Sequence, residues 1–300
     1  SATLDGPDLV ASGPLPADPE DLMGQIASAY ADGVTSVVVP DGASYDRPLE
    51  LRGLATGNAR FRIEVGKGAT LDVVEIHEAE SGFANLDLTY VVKEGGTLRR
   101  TVRTEDGAET IRHVRAHVTL WKDAAFHQTQ LTFGGAMTRL ETRLALMGAA
   151  DVEMSGAYLL GGSRHADITN YIDFAVPGST VRDAVAGVVT DTAKGVFQGK
   201  FHVRRPAQHT DAEMRHDALM LSETSKINAK PELEIYADDV ECAHGNTIGQ
   251  LDEQALFYMR QRGIPEAQAR AMLIEAFVAA RLGEDKGMLA AVREWLKARA

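Results

Sequence analysis

Apolar and polar residues exchange with period two along Leu71-Asp72-Val73-Val74-Glu75-Ile76 and along Val114-Arg115-Ala116-His117-Val118-Thr119-Leu120, the pattern of half-buried strands. Between such runs a seven-residue motif recurs: apolar, two variable, small or Asp, small, variable, apolar. It stands at 39–45, 65–71, 92–98, 120–126 and 146–152, and its first anchors, Val39, Val65, Val92, Leu120 and Leu146, lie 26, 27, 28 and 26 residues apart. A sixth copy, one residue shorter, runs from Val176 to Val181. Gly or Asp beside a small residue marks a turn in each copy. A strand-and-turn unit at this period, with no helix pattern between copies, buries its inward residues only by stacking on the next unit. The expected fold is a parallel β-helix (β-solenoid) over roughly 35–235, right-handed by the crossover preference of parallel strands. An antiparallel sandwich or jelly roll is the competing arrangement.

The period changes after Ile248. Asp252 is suited to cap a helix that Gly263 stops, and Pro265 fits the first turn of the next. That second helix, to about Leu282, is apolar around most of its circumference through Ala271, Met272, Leu273, Ile274, Ala276, Phe277, Val278 and Ala279. A third, from Lys286, sets Met288, Leu289, Val292, Trp295, Leu296 and Arg299 at helical spacing. Two uses of these helices stay open: a cap closing the end of the β-helix, or a face that receives a partner subunit. The chain thus divides into a short N-terminal helical or irregular segment (1–34, with one helix between Pro19 and Tyr30), a β-helix core (35–248) and a C-terminal helical domain (249–300).

With 300 residues, 44% of them apolar, the chain can bury one large core or two ordinary ones, which excludes disordered and collagen-like classes. A formal charge of -12 argues against nucleic acid as a partner. One cysteine cannot form an internal disulfide and favours a reducing, cytoplasmic setting. No stretch approaches the ~20 apolar residues of a membrane span, and residues 1–22 carry no visible export signal.

Several catalytic patterns fail on inspection. Gly195-Val196-Phe197-Gln198-Gly199-Lys200 has its first Gly one residue too close for a phosphate loop, and Phe201 stands where Ser or Thr must hold magnesium. His77-Glu78 lacks a second His four residues after the first, and no Gly-x-Ser-x-Gly elbow occurs. His202, His209 and His216 are seven apart but interrupted by Pro206, while His113 and His117 share one side of a strand; all five read more simply as ordinary surface or core histidines. Cys242-Ala243-His244 differs, because a thiol and an imidazole two residues apart share one face of an extended strand and both ligate iron or zinc. An iron–sulfur cluster is held by about four ligands, mostly thiolates. With a single cysteine in the chain, any such site must be completed by another chain.

Around that pair the sequence Glu234-Ile235-Tyr236-Ala237-Asp238-Asp239-Val240-Glu241-Cys242-Ala243-His244-Gly245, followed by Thr247, Gly249, Leu251-Asp252, Leu256-Phe257-Tyr258 and Arg262-Gly263-Ile264, closely resembles the SufB/SufD family of iron–sulfur cluster assembly scaffold proteins, in its SufD branch. The likeness extends more loosely through Val196-Phe197-Gln198-Gly199-Lys200 and Thr210-Asp211 to Gly161-Gly162 and Asp167. The resemblance implies a non-catalytic scaffold subunit whose β-helix pairs with a SufB-like subunit and whose C-terminal helices dock a SufC-like ABC-type ATPase. Carried over, Cys242 and His244 are ligands of a transient iron–sulfur cluster or iron at the subunit interface, and no cofactor is expected on the isolated chain. Leu256, Phe257, Tyr258, Arg262, Met272 and Phe277 are the expected partner-binding residues.

The chain also departs from the family's pattern. The N-terminal helical region looks shorter than is typical. Phe174-Ala175-Val176-Pro177 stands where many relatives have a His before the Pro, and Asn246 replaces a frequent Ala. Two other readings compete: a carbohydrate lyase or hydrolase using Asp167, Asp173 and Asp191, and a structural solenoid that homodimerises with Cys242 inert.

Overall fold

The computed structural model describes residues 3–5, 10–11, 21–52 and 56–299. Strands β1 (Thr3–Asp5) and β2 (Val10–Ala11) and helix α1 (Leu22–Tyr30) come first. There follow β3 (Val34–Val39), β4 (Leu49–Arg52), β5 (Gly57–Val65), β6 (Thr70–His77), β7 (Ser81–Val92), β8 (Thr97–Thr104), β9 (Glu109–Leu120) and β10 (Ala124–Thr132). The series continues with β11 (Met137–Leu146), β12 (Ala150–Leu160), β13 (His165–Phe174), β14 (Thr180–Val189), β15 (Lys194–Val203), β16 (Thr210–Met220), β17 (Lys226–Ile235) and β18 (Val240–Gly249). Helices α2 (Glu253–Gln261), α3 (Glu266–Leu282) and α4 (Lys286–Lys297) close the described chain. The expected helix near the front is α1; Pro19 and Glu20 lie outside the described residues.

Alternate strands build two nine-stranded sheets, β1-β4-β6-β8-β10-β12-β14-β16-β18 and β17-β15-β13-β11-β9-β7-β5-β3-β2. Apart from the β1–β4 and β2–β3 pairs, every strand pairs parallel with the strand one coil away. This is a β-solenoid, and the parallel pairing excludes the sandwich and the jelly roll. The repeat anchors coincide with the register: Val39, Val65, Val92, Leu120 and Leu146 are successive partners in the second sheet, continued by Phe174, Val203 and Ile235. The sixth anchor is therefore Phe174, not Val176. From there the turn to the first sheet is longer than in the earlier coils, so counting back by the earlier spacing lands past the true anchor. In the first sheet the second anchors stack as Leu71, Leu98, Phe126, Val152, Val181, Ala212 and Cys242. Gly42, Gly68, Gly95 and Asp123 occupy the connecting turns with φ between 57 and 69°, a left-handed backbone that glycine adopts without strain.

The interior is not wholly apolar. Arg100, 2% exposed, donates from Nε and Nη2 to the two carboxylate oxygens of Glu75 at 2.6 and 2.9 Å and from Nη1 to Gln128 at 2.6 Å. The Tyr90 hydroxyl donates to Glu75 at 2.6 Å. Burial works to raise the Glu75 carboxyl, but Arg100 and the His77 contact outweigh it and hold the pKa down at about 2. Three coils beyond Arg100, Asp183 is fully buried with Asn170 as its only hydrogen-bond donor among the described residues, at 2.9 and 3.0 Å, and burial pushes its carboxyl up to about 7.

The C-terminal helices do not close the end of the solenoid. Ile274, Val278, Leu282, Met288, Val292, Trp295 and Leu296 pack on Leu131, Phe133, Ala157, Leu159, Ala186, Val188 and Leu219, most of them residues of β10, β12, β14 and β16 outside the main core. The capping alternative is thereby corrected: these strands carry apolar residues toward the outer surface as well as toward the core, and the helices bury that second apolar face.

Replacing Arg100 by Met leaves Glu75 buried without its cation, and the expected loss is about 3–5 kcal/mol of unfolding free energy at pH 7, measured by urea denaturation. Asp183 acts in the opposite sense. Its folded pKa lies above the unfolded value, so stability falls as pH rises from about 4 to 7. Asp183→Asn is expected to flatten that slope and to be the more stable protein at pH 8; an unchanged pH profile would refute the assignment.

Candidate functional site

Among the described residues no coil stacks beyond strand β18. Cys242 ends the inward column that begins at Leu71. His244 ends the column Val73, Arg100, Gln128, Met154, Asp183, Met214, and Asn246 ends the column Glu75, Val102, Gln130, Gly156, Val185, His216. Three polar side chains thus occupy positions i, i+2 and i+4 on the inward face of an uncovered coil, about 7 Å apart along the strand. Cys242 is half-buried and packs against the core, while His244 and Asn246 are exposed. Burial, and after it the Asp211 carboxylate, pushes the Cys242 thiol up from its ordinary value. In the chain alone the group is therefore a thiol at neutral pH, and only a bound cation would favour its thiolate.

Behind this row sits His216. Its side chain is fully buried and held down in pKa by burial. The ring stacks on Phe197 at 4.8 Å and on Tyr158 at 5.9 Å. Nδ1 is 2.8 Å from Asn246 Oδ1, and Nε2 is 3.0 Å from the Tyr158 hydroxyl. Tyr158 reaches His216 from two coils away only because Gly187 and Gly195 lack side chains: a Cβ at either would lie 2.2 or 2.4 Å from the Tyr158 ring. Gly199 likewise makes room for Met214. The two glycines that give the 195–200 segment its superficial phosphate-loop look are thus packing devices inside β15.

The other candidate residues are dispersed. His202 pairs with Asp173 on the second sheet, and His209 lies in a turn at φ 56°, so the heptad histidines do not converge. His113 is buried, its Nδ1 donating to Asn85 Oδ1 at 3.0 Å, on the same strand as His117. Asp167 and Asp173 lie on one strand, engaged by Arg139 and Arg204 respectively, whereas Asp191 sits in a turn and accepts from the Gly162 amide. They form no acidic cleft. Asp21, Asp87 and His117 are the one three-ligand group among the described residues close enough to hold an ion, but Arg115 and Arg60 already pair with the two carboxylates.

On the helices, Phe257, Tyr258 and Met272 are 61, 56 and 46% exposed, and the Arg262 guanidinium stacks over the Tyr258 ring at 3.4 Å. Leu256 is buried, and Phe277 is half-buried against the cluster of Ile274 and Val278. Sequence reasoning missed His216 and Tyr158 as neighbours of the site. The signal was the coil spacing: His216 lies 30 residues before Asn246 in the same column.

The arrangement defines a class: a β-solenoid whose open terminal coil presents one thiol and one imidazole, a donor set too small to cage a cluster alone. A family model described as SUF system FeS cluster assembly, SufBD core domain, matches residues 52–277, and the chain belongs to that SufB/SufD family. It is 26% identical to iron-sulfur cluster assembly protein SufD of Escherichia coli over 268 residues, 85% of this chain and 63% of the relative. It is 27% identical to protein ABCI7, chloroplastic, of Arabidopsis thaliana over 87% of this chain and 58% of the relative. Over 93 residues, 31% of this chain and 21% of the relative, it is 37% identical to SufD of Bacillus subtilis. The chain spans about three-fifths of the length of the first and second of these relatives. No described helix is long and apolar enough to cross a membrane.

The Asp211 charge makes a checkable contribution to the site. Alkylation of Cys242 in the isolated chain should follow a pH profile displaced above that of an unhindered thiol. Asp211→Asn should bring the profile to lower pH; a profile unmoved by the substitution counts against the electrostatic account.

Proposed function

We propose that this chain is a SufD-like, non-catalytic scaffold subunit that contributes Cys242 and His244 as ligands to an iron–sulfur cluster, or to iron, being built at a boundary with a SufB-like subunit. The observation that carries the reading is the position of the single thiol: it ends an inward column and is left half-covered because no further coil stacks on it. A second solenoid supplying the next coil would cover Cys242 and bring the missing donors to it. The same coil leaves the outer edges of β17 and β18 unpaired among the described residues, and such edges are natural templates for another chain's strands.

Docking of a SufC-like ABC-type ATPase on the C-terminal helices is the companion proposal, and the exposed Phe257, Tyr258 and Met272 support it. The side chains that pack these helices inward lie on the first sheet, so a partner on their outer side leaves the terminal coil free for the SufB-like subunit. Among the alternatives, the scattered Asp167, Asp173 and Asp191, the first two ion-paired and the third bound to the Gly162 amide, weigh against a glycosidase, which needs a facing carboxylate pair. A homodimer through the same open edges is the outcome expected when no SufB-like chain is present. A single cysteine and the thiolate chemistry of cluster building fit a reducing compartment such as the cytoplasm.

Co-expression with SufB-like and SufC-like subunits, followed by anaerobic purification, is expected to yield a three-component complex carrying iron and sulfide. Cys242→Ser and His244→Ala should keep the complex but lose most of its iron and sulfide. Full retention in both variants, or stable stoichiometric iron on this chain alone, would overturn the reading.

A further inference from the structure

Three groups form a chain of hydrogen bonds that ends at the open coil: the Tyr158 hydroxyl, His216 and the Asn246 amide. Two arrangements of protons fit the distances. In the first, Tyr158 donates to Nε2, and the Nδ1 proton of His216 is donated to Asn246 Oδ1. In the second, Nε2 carries the proton and donates to the Tyr158 oxygen, and the Asn246 amide is turned so that its nitrogen donates to Nδ1. The second leaves the Tyr158 proton without an acceptor, since the hydroxyl has no other partner among the described residues and the side chain is fully buried. An unmade hydrogen bond at such a site costs about 1–3 kcal/mol. The first arrangement satisfies every buried donor and prevails. A protonated imidazolium would also place Nε2–H against the hydroxyl, and burial of the ring disfavours it.

The first arrangement fixes the outer end of the relay. With Oδ1 accepting from His216, the Asn246 amide directs its two N–H bonds away from the ring, on an exposed residue of the face that carries Cys242 and His244. We propose that Asn246 is a further residue of this site, an N–H donor to the sulfur of a sulfide or thiolate bound there, and that His216 and Tyr158 are positioning residues that hold its amide in the donating orientation. This rests on the reading of Cys242 and His244 as ligands. It adds a residue that neither ligates metal nor carries charge. Donors of this kind stabilise the more reduced, more negative state of a cluster and so raise its reduction potential.

Two measurements test the proposal. Long-range 15N–1H NMR of the isolated chain reads the His216 tautomer directly: a protonated Nδ1 and an unprotonated Nε2 are expected, with the other tautomer growing in Tyr158→Phe. A wild-type ring protonated at Nε2 overturns the relay whatever the site binds. The second measurement uses the complex with SufB-like and SufC-like subunits, loaded with ferrous iron and sulfide and titrated redox-potentiometrically. Asn246→Ala is expected to keep the iron and sulfide content but move the cluster to a more negative potential, with Tyr158→Phe moving it the same way by less. Unchanged potentials in both variants, with the wild-type complex loaded, overturn the role of Asn246 and leave Cys242 and His244 as ligands. A wild-type complex that takes up no cluster overturns the reading of the site itself, and the sulfur-donor role with it.

Discussion

In a β-solenoid an inward side chain is closed off completely only when a coil stacks on either side of its own. That constraint sets what the last coil can be. Up to β16 each inward position is closed off by a following strand, and Leu98, Phe126, Val152 and Val181 are fully buried in one unbroken column. At β18 the closure stops, and the residues that inherit inward positions are Cys242, His244, Asn246 and Ile248, half-buried at most. The thiol and imidazole proposed as ligands therefore lie where the stacking of coils runs out. A donor set placed inside the stack would be inaccessible; placed on an outward face it would have no hydrophobic floor and no defined partner geometry. At the terminal coil it has the floor of the core beneath it and open space above.

The same stacking explains why charged and polar residues are tolerated deep in the core. Arg100 and Glu75 occupy adjacent inward columns one coil apart, and Gln128 extends the contact by another coil. Each is solvated by side chains of neighbouring coils in place of water. Such a network favours one register, because a shift of one residue would turn every partner to the opposite face of the sheet. Asp183 is the counterexample within the same interior. It has an amide for company instead of a cation, so it prefers to be a neutral acid; it costs stability as pH rises, whereas Glu75, held low, loses its contribution only in acid.

Much of this was legible in the sequence. The anchors Val39, Val65, Val92, Leu120 and Leu146 turned out to be true register partners because a column of inward residues must repeat once per coil. The count failed at Phe174, where the turn lengthened and the local pattern no longer carried the period. Cys242 and His244 could be singled out from residue type and spacing, and the family resemblance pointed to the same pair. Their position on an uncovered coil could not be read, since it depends on where the helices go. That in turn was decided by Leu131, Ala157, Leu159, Ala186 and Val188, which read as ordinary strand residues until one sees that they lie outside the main core. By type and spacing His216 reads as an ordinary surface or core histidine, and by burial it is a core one. Its bearing on the site arises from a contact across a 30-residue coil that no local window contains.

The helices also have a fixed mechanical relation to the site. Arg281 of α3 pairs at 2.9 Å with Asp217 of β16, the residue that follows His216, and Arg215 holds the same carboxylate at 2.7 Å. Because alternate residues of a strand face opposite sides, Asp217 meets the helices while His216, its neighbour in the chain, reaches Asn246 on the inner side. A force applied to α3 therefore enters the sheet at the strand directly beneath the open coil. Asp217 is poised for that role, since Arg215 and Arg281 outweigh its partial burial and keep its carboxyl below the ordinary range. The connection does not need the core to deform. It needs only β16 to shift against β18, an edge strand of the first sheet held from a single side.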